Sequence, residues 1–412
     1  MNKFEIVNRY DFTNLDKFNI LWEVLGDGKT LANGIIEKPD IAAHTSKIYE
    51  LNIPVIKPWK GVEYLLNFKC VTATGMPLLE QGHLVAVDQF LLPWHTEMPP
   101  ARTSTLLHLY FSETNDLVSI SGEDSRIEIS KLTGLISSYE YKGIQLIQQG
   151  PEPNFWRPPT DNDFGSNFPE TAAIWREAGN KRILKSFDVQ NFDNRALQIT
   201  VVYDLPTVNS QWRMVYKVIS SGDIIVNCDF ITRETGLPEM PRLGVKMQLP
   251  AGFERMRYYG RGPQENYCDR NQAAMVGLYE STVSSEYYPY ISPQENGNKT
   301  DVRWAAISGP AGIGIMTVGL PVLSMSALHY SIEDLTQQTR GSKHTIDLKQ
   351  RDITFLNLDM KQRGVGGDNS WGAKPHASYC IPAQSYSFQF RLSPFSEGDD
   401  LMGISKINFL VD

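Results

Sequence analysis

Cysteine is scarce in this sequence: Cys70, Cys228, Cys268 and Cys380 are the only four in 412 residues. They lie far apart and form no CxxC pair, and a chain this long needs no covalent staples, so they read as reduced or buried thiols. The seven histidines show no HxxxH or mixed Cys/His spacing, which argues against a zinc site and leaves the metal set of this chain at none. Positive charge is also short, with 39 Lys and Arg against 47 Asp and Glu, a net charge of −8. Such a surface offers no basic field for a phosphate backbone, so nucleic acid is not an expected partner. No apolar run approaches the ~20 residues that span a bilayer, and a membrane partner is not expected either. Met1 to Tyr10 lacks a basic stretch followed by an apolar one, so no signal peptide is read there, and a cytoplasmic or a periplasmic setting suits the chain equally. There is no GxSxG elbow, no P-loop and no repeat of 20 to 50 residues, which removes the standard α/β-hydrolase, nucleotide-binding and solenoid readings.

What remains is strand signal, in a length that allows two or three domains. Phe18, Ile20, Trp22 and Val24 alternate with their neighbours, and the run stops at Gly26-Asp27-Gly28, which suits a hairpin. Lys47 to Ile53, Glu63 to Ala73 and His83 to Leu92 continue the pattern. About seven short strands are expected in residues 1–95, an immunoglobulin-like β-sandwich. Pro93, Pro99 and Pro100 end it, and 96–104 is read as a linker. Strand signals resume from Thr105, for example at Arg126 to Ile129, Leu197 to Tyr203, Met214 to Val218, Ile224 to Phe230 and Ser385 to Leu392. Residues 105–412 are therefore expected to form one larger two-sheet unit, and the fold class is all-β. Only Pro169 to Ala178 and Ile332 to Gln338 look helical, the second with Ser331 and Asp334 spaced as a capping box.

Three segments break the strand pattern. Asn154 to Gly165 (NFWRPPTDNDFG) carries prolines that stop a central strand, and Asp161, Asn162 and Asp163 offer oxygens to a cation, to sugar hydroxyls or to their own backbone in an Asx-rich turn. It lacks the alternate ligands and terminal Glu of an EF-hand. Tyr258 to Arg270 (YYGRGPQENYCDR), followed by Pro293 to Gly297 (PQENG), contains Glu265 and Glu295. Two carboxylates of this kind could form the acid and base of a glycosidase. Each stands beside Arg, Asn or Gln, however, and reads better as a polar brace. Arg363 to Trp371 (RGVGGDNSW) sets a Trp at the tip of a glycine-rich turn. An indole face suits the C–H side of a sugar ring, and equally suits pinning the loop to a core.

Together, FWRPPTDNDFG at 155–165, RLGVKM at 242–247, YYGRGPQENYCDR at 258–270, SPQENG at 292–297 and GVGGDNSW at 364–371 resemble the C-terminal half of a family 2 glycoside hydrolase of the large β-galactosidase type. YDFTNLDKFNILWEVLGDGKTLANG at 10–34 and GHLVAVDQF at 82–90 resemble the sandwich domain that precedes the last domain in that family. The likeness covers essentially the whole chain, in matching order and spacing. Cys268 departs from it, standing where the family usually has proline, so the local turn lacks a fixed φ.

The resemblance implies an immunoglobulin-like sandwich followed by a galactose-mutarotase-like supersandwich, the last two of five family domains. It implies a retaining β-galactosidase acting on terminal β-D-galactosides, whose catalytic glutamates lie in a (β/α)8 barrel. No alternating strand–helix pattern is present here, so no catalytic residue and no cofactor is assigned to this chain. Divalent and monovalent cations are expected in the barrel. Trp371 is implied as a wall of the galactoside site, with Asp368 holding the loop that presents it. Asp161, Asp163 and Gly165 are expected in a cleft loop, with a hinge at Gly165-Ser166-Asn167. The implied partners are the β-galactoside, a barrel on the same parent chain or on a large subunit, and a parent enzyme that can form a homo-oligomer. The isolated chain is expected to lack hydrolase activity. Two other readings stay open: an aldose 1-epimerase, although no two histidines sit in motifs like that pattern, and a carbohydrate-binding or assembly module.

Overall fold

A computed structural model of the chain describes residues 3–102, 106–192, 194–369 and 371–410. Residues 103 and 104 of the expected linker, Thr105, where the second domain was expected to start, and Ser370 of the third segment lie outside the described residues. The chain divides into two compact units, one of Met1–Pro99 with Gln272–Leu278, the other of Pro100–Asn271 with Tyr279–Asp412.

In the first unit, Lys29–Glu37, Phe18–Gly26, Tyr64–Thr72 and Leu84–Leu91 form a four-stranded antiparallel sheet in that order. Lys3–Val7 pairs with Ser46–Glu50 in a second sheet. Among the described residues of 1–95 these are six strands, where about seven were expected. The alternation in Phe18–Gly26 sends Phe18, Ile20, Trp22 and Val24 inward, as the period of two requires. The turn between the first two strands of the large sheet is Asp27-Gly28, with φ of +50° and +77°. Positive φ at both central residues is the two-residue hairpin geometry whose twist matches the strands. Trp22, Val24, Leu51, Tyr64, Leu66 and Leu92 fill the core.

Apart from a parallel pairing of Ala101–Arg102 with Phe409–Leu410, the sheet of the second unit is antiparallel. Ile183–Phe192, Ala196–Leu205, Ser210–Ile219 and Ile224–Ile231 form a meander. The last of these pairs with Tyr386–Phe395, placing Ile224 opposite Leu392 and Phe230 opposite Tyr386. Tyr386–Phe395 lies against the first half of the long strand Gly314–Leu328, whose second half pairs with Thr354–Gln362. Thr354–Gln362 in turn pairs with Arg242–Leu249, and that strand with Gln149–Asn154. Trp212, Met214, Tyr216, Val226, Cys228, Phe230, Phe390 and Leu392 are buried along the alternating inner face. Each large apolar side chain buried this way contributes about 1.5–3 kcal/mol. Strands dominate both units, as the all-β reading expects.

Two helical expectations change. Pro169 to Ala178 is not one helix: Phe168–Thr171 makes a single turn, and Ala173–Trp175 a 3-10 turn. The burial of Trp175 and Ala178 in the aromatic core sets that path. Asp161–Gly165, read as an Asx-rich turn, is a one-turn helix in which Thr160 and Asp163 cap each other's backbone N–H. The second expected helix forms over Ile332–Leu335, with the Ser331–Asp334 capping box in place.

Candidate functional site

Register decides where the motifs meet. Gln149–Asn154, Arg242–Leu249 and Thr354–Gln362 are adjacent, with Asn154 opposite Gly244 and Arg242 opposite Gln362. The segments that follow Asn154 and Gln362 therefore leave the sheet at the same edge, and RLGVKM is the strand between them. Phe155 locks the first segment to the sheet, its ring 5.4 Å from Trp212 and 5.6 Å from Phe230 in edge-on contacts.

Beyond Phe155 the segment is organised by two buried arginines. Arg157 Nη2 donates to Asp163 Oδ1 and Oδ2, each at 3.0 Å, and its Nε donates to Asp163 Oδ2 at 3.2 Å. Its other donors reach the backbone carbonyls of Arg363 and, at 3.0 Å, of Gly364. Arg363 places Nη1 3.4 Å from Asp163 Oδ1, donates to Glu239 at 3.1 Å and stacks its guanidinium 4.0 Å above the Phe168 ring. Asp163, 2% exposed, also accepts the Thr160 amide at 3.0 Å. It is thus the hub that ties the first segment to the third. Asp161 is exposed and pairs loosely with Arg340 at 3.4 Å.

Glu265 and Glu295 are both braces. Glu265 accepts from Arg270 and the Tyr290 hydroxyl, and its Oε2 accepts the Gly297 amide at 2.8 Å. Glu295 Oε1 accepts from Arg242 Nη2 and Gln362 Nε2, both at 3.1 Å. Arg242 Nε lies 3.1 Å from Asp359 Oδ2, fully buried. Burial pushes the Asp359 carboxyl up to about 7, against the opposing pull of Arg242. Asn266 completes the join, its Oδ1 accepting the Thr300 amide at 2.9 Å and its side-chain amide donating to the carbonyls of Arg261 and Gln264. Cys268 is half-buried, donates to the Gln362 carbonyl at 3.3 Å, and has its thiol raised by burial to about 11.

In the third segment Trp371 is 86% exposed, a large apolar group left in solvent. Its loop is pinned from below. The Gly366 amide donates to Asp269 Oδ2 at 2.7 Å, the Gly364 amide to the Tyr379 carbonyl at 2.8 Å, and the Trp371 amide to Asn369 Oδ1 at 2.9 Å. Asp368 is exposed and meets His376 Nε2 at 3.0 Å. A Cβ on Gly364 would stand 2.6 Å from Asp269 Oδ2, so the close approach requires glycine there. Gly372, at φ +124°, brings the base of the Trp loop against the Gly165 carbonyl.

The structure thus gathers Asp161, Asp163, Gly165, Asp368 and Trp371 at one edge, with Asp163 inside and the two other acids outside. Arg157, Arg363, Asp269, Asn369 and His376 are the positioning residues the sequence reading missed. Asn369, two residues before Trp371, carries a readable Asx-turn signal; the arginines carry none, because a lone Arg reads as surface. Among the described residues, no group of three His, Cys, Asp or Glu side chains is arranged to hold a metal ion.

A family model described as "Beta galactosidase small chain" matches residues 121–392, and one described as "Beta-galactosidase, domain 4" matches residues 4–93. A β-galactosidase of Priestia megaterium is 31% identical over 95% of this chain, and one of Lactobacillus delbrueckii subsp. bulgaricus 30% identical over 90%. The chain spans only 37% and 36% of their lengths. Among solved structures, a galactose 1-epimerase from Lactobacillus acidophilus covers 70% of this chain and 98% of its own, at 9% identity and a TM-score of 0.37. With family models matching both regions in order, and the motifs of the second region assembled at one edge, the chain belongs to the β-galactosidase family, as its domain 4 followed by its small-chain region.

Proposed function

We propose that this chain forms one wall of the sugar site of a retaining β-galactosidase that hydrolyses terminal β-D-galactosides, and that the glutamates which do the chemistry belong to a barrel outside it. The exposed indole of Trp371 on a braced loop supports this reading most strongly. A large aromatic face held in water by a rigid loop is an unmade contact, and a pyranose C–H face suits it. Asp368, through His376, steadies the far side of the loop. In the retaining reaction one carboxylate attacks the anomeric carbon while another protonates the leaving oxygen, the two about 5 Å apart. Glu265 and Glu295 do not suit those roles, because each is held by an arginine and by further donors. The chain alone therefore has no hydrolase activity, and the divalent and monovalent cations of the reaction belong to the barrel.

The epimerase reading draws less support. It needs a free acid and base, and the buried His329 has both ring nitrogens occupied, Nε2 2.7 Å from Glu254 and Nδ1 3.0 Å from the Ile353 carbonyl.

The test is hydrolysis of a chromogenic β-galactoside by the chain alone, by the chain mixed with a barrel-bearing fragment, and by the mixture carrying Trp371→Ala. Activity is expected only in the mixture, with Trp371→Ala losing about 1 kcal/mol of sugar binding, roughly fivefold in KM. Turnover by the pure chain would overturn the division of labour.

A further inference from the structure

A cavity of about 270 Å³ opens at the same edge of the second unit, with Asn162, Tyr267, Arg270, Tyr290, Glu295 and Gly366 in its lining. Two of these are buried polar groups with hydrogen-bonding capacity left over. Glu295 is 6% exposed, and while Oε1 is taken by Arg242 and Gln362, its Oε2 has no hydrogen-bond partner among the described residues. The Tyr267 hydroxyl is fully buried and has no partner among the described residues. A buried polar atom left unsatisfied costs about 1–3 kcal/mol, so the Tyr267 hydroxyl beside this cavity calls for an account.

The lining also says which ligand fits. Glu295 is balanced by Arg242 at 3.1 Å and Arg270 by Glu265, so no unpaired charge attracts an ion. No metal-holding cluster exists among the described residues. A carboxylate oxygen that can only accept, beside a phenol that can donate and accept, matches two adjacent hydroxyls of a neutral diol. Tyr290 adds a ring to the wall, its hydroxyl fixed on Glu265. The volume falls just below the ~300–1,000 Å³ of drug-sized sites, the scale of a single sugar ring.

We propose that this cavity is a sugar site of the chain itself, taking one neutral pyranose whose vicinal hydroxyls pair with Glu295 and Tyr267. The site goes beyond the role of Trp371, needs no barrel, and stands whether or not Trp371 lines the galactoside site.

Calorimetric titration or saturation-transfer NMR of the full 412-residue chain with methyl β-D-galactopyranoside tests it. Saturable binding is expected, and Tyr267→Phe is expected to weaken it about tenfold with thermal stability unchanged or raised, because the hydroxyl it removes is buried without a protein partner among the described residues. Asn162→Leu, which puts an apolar side chain into the lining in place of an amide, is expected to abolish binding, and Trp371→Ala to leave it unchanged. The proposal fails if no saturable binding occurs up to about 100 mM. It fails equally if either cavity variant keeps affinity within about twofold of wild type, or if Trp371→Ala removes the binding. Because the barrel is absent from this assay, failure here is separate from failure of the complementation test.

Discussion

Asp163→Asn is the substitution that probes the hub most directly. It keeps the shape of the side chain and removes one negative charge from between two buried guanidiniums. The wild-type carboxylate accepts three hydrogen bonds from Arg157 and one from the Thr160 amide, and has Arg363 Nη1 at 3.4 Å. An amide can accept on one oxygen only; its NH2 would face Arg157 Nε and the Thr160 N–H, donor against donor. Arg157 would be left without a carboxylate, and Arg363 with only the half-exposed Glu239. Breaking a buried pair in this way costs about 3–5 kcal/mol, a large share of the ~5–15 kcal/mol that holds a domain folded. For a unit of this size that is roughly 5–8 °C in Tm. Asp161→Asn, two residues away, removes only an exposed pairing with Arg340 and should cost no more than about 0.5 kcal/mol. Urea unfolding of both variants gives the energies. Hydrogen exchange should add that the Gly364 and Gly366 amides lose protection in Asp163→Asn, since Arg157 holds the carbonyls of 363 and 364. A loss below about 1 kcal/mol for Asp163→Asn, or equal losses for the two variants, would refute the hub.

Two further outcomes follow from single positions. Gly372→Ala places a Cβ at φ +124° and 3.0 Å from the Gly165 carbonyl, so it should cost about 1–3 kcal/mol and shift the Trp371 fluorescence maximum; an unchanged spectrum and stability would mean the two loops are not in register as described. Asp359 has its carboxyl raised from 3.8 to about 7 by burial, so between those values the folded chain holds a proton that the unfolded chain has lost. Its contribution to stability is present below pH ~4 and is lost as pH rises through ~7, on the order of 4 kcal/mol in all. Asp359→Asn, which cannot ionise, should therefore gain on wild type between pH 5 and pH 8 in urea unfolding, and parallel curves would sink the assignment.

The strands were legible because burial on one face imposes a period of two. Ser210–Ile219 and Ile224–Ile231 stand where alternation put them, within a few residues at each end, and Asp27-Gly28 makes the hairpin its residues suit. The helix at Asp161–Gly165 was legible too, in the Thr160–Asp163 capping-box spacing, but a run of Asp and Asn reads more readily as a turn. The split of Pro169 to Ala178 was not legible. What ends that helix is the pull of Trp175 into contact with Phe155 and Phe230, from segments 20 and 55 residues away.

The site divides the same way, and the division has a physical cause. Trp371, Asp368 and the Asp161 segment announce themselves by residue type, since glycine, Asx and aromatic residues cluster where a chain turns in solvent. Their braces do not, because bracing is a property of pairs. Arg157 matters only once register places Asn154 opposite Gly244 and Arg242 opposite Gln362, which brings residue 157 beneath residues 363 and 364. Buried arginines are costly unless fully paired, and here four of them, Arg157, Arg242, Arg363 and Arg391, are retained in one unit. Three of the four stand at the edge that carries Trp371. Apolar residues would have filled that volume at lower cost, but they could not have fixed the carbonyls and carboxylates of four separate segments in one geometry. The distribution of buried charge therefore follows the demand for a rigid loop base, and a loop so held can keep an indole face in water ready for a partner.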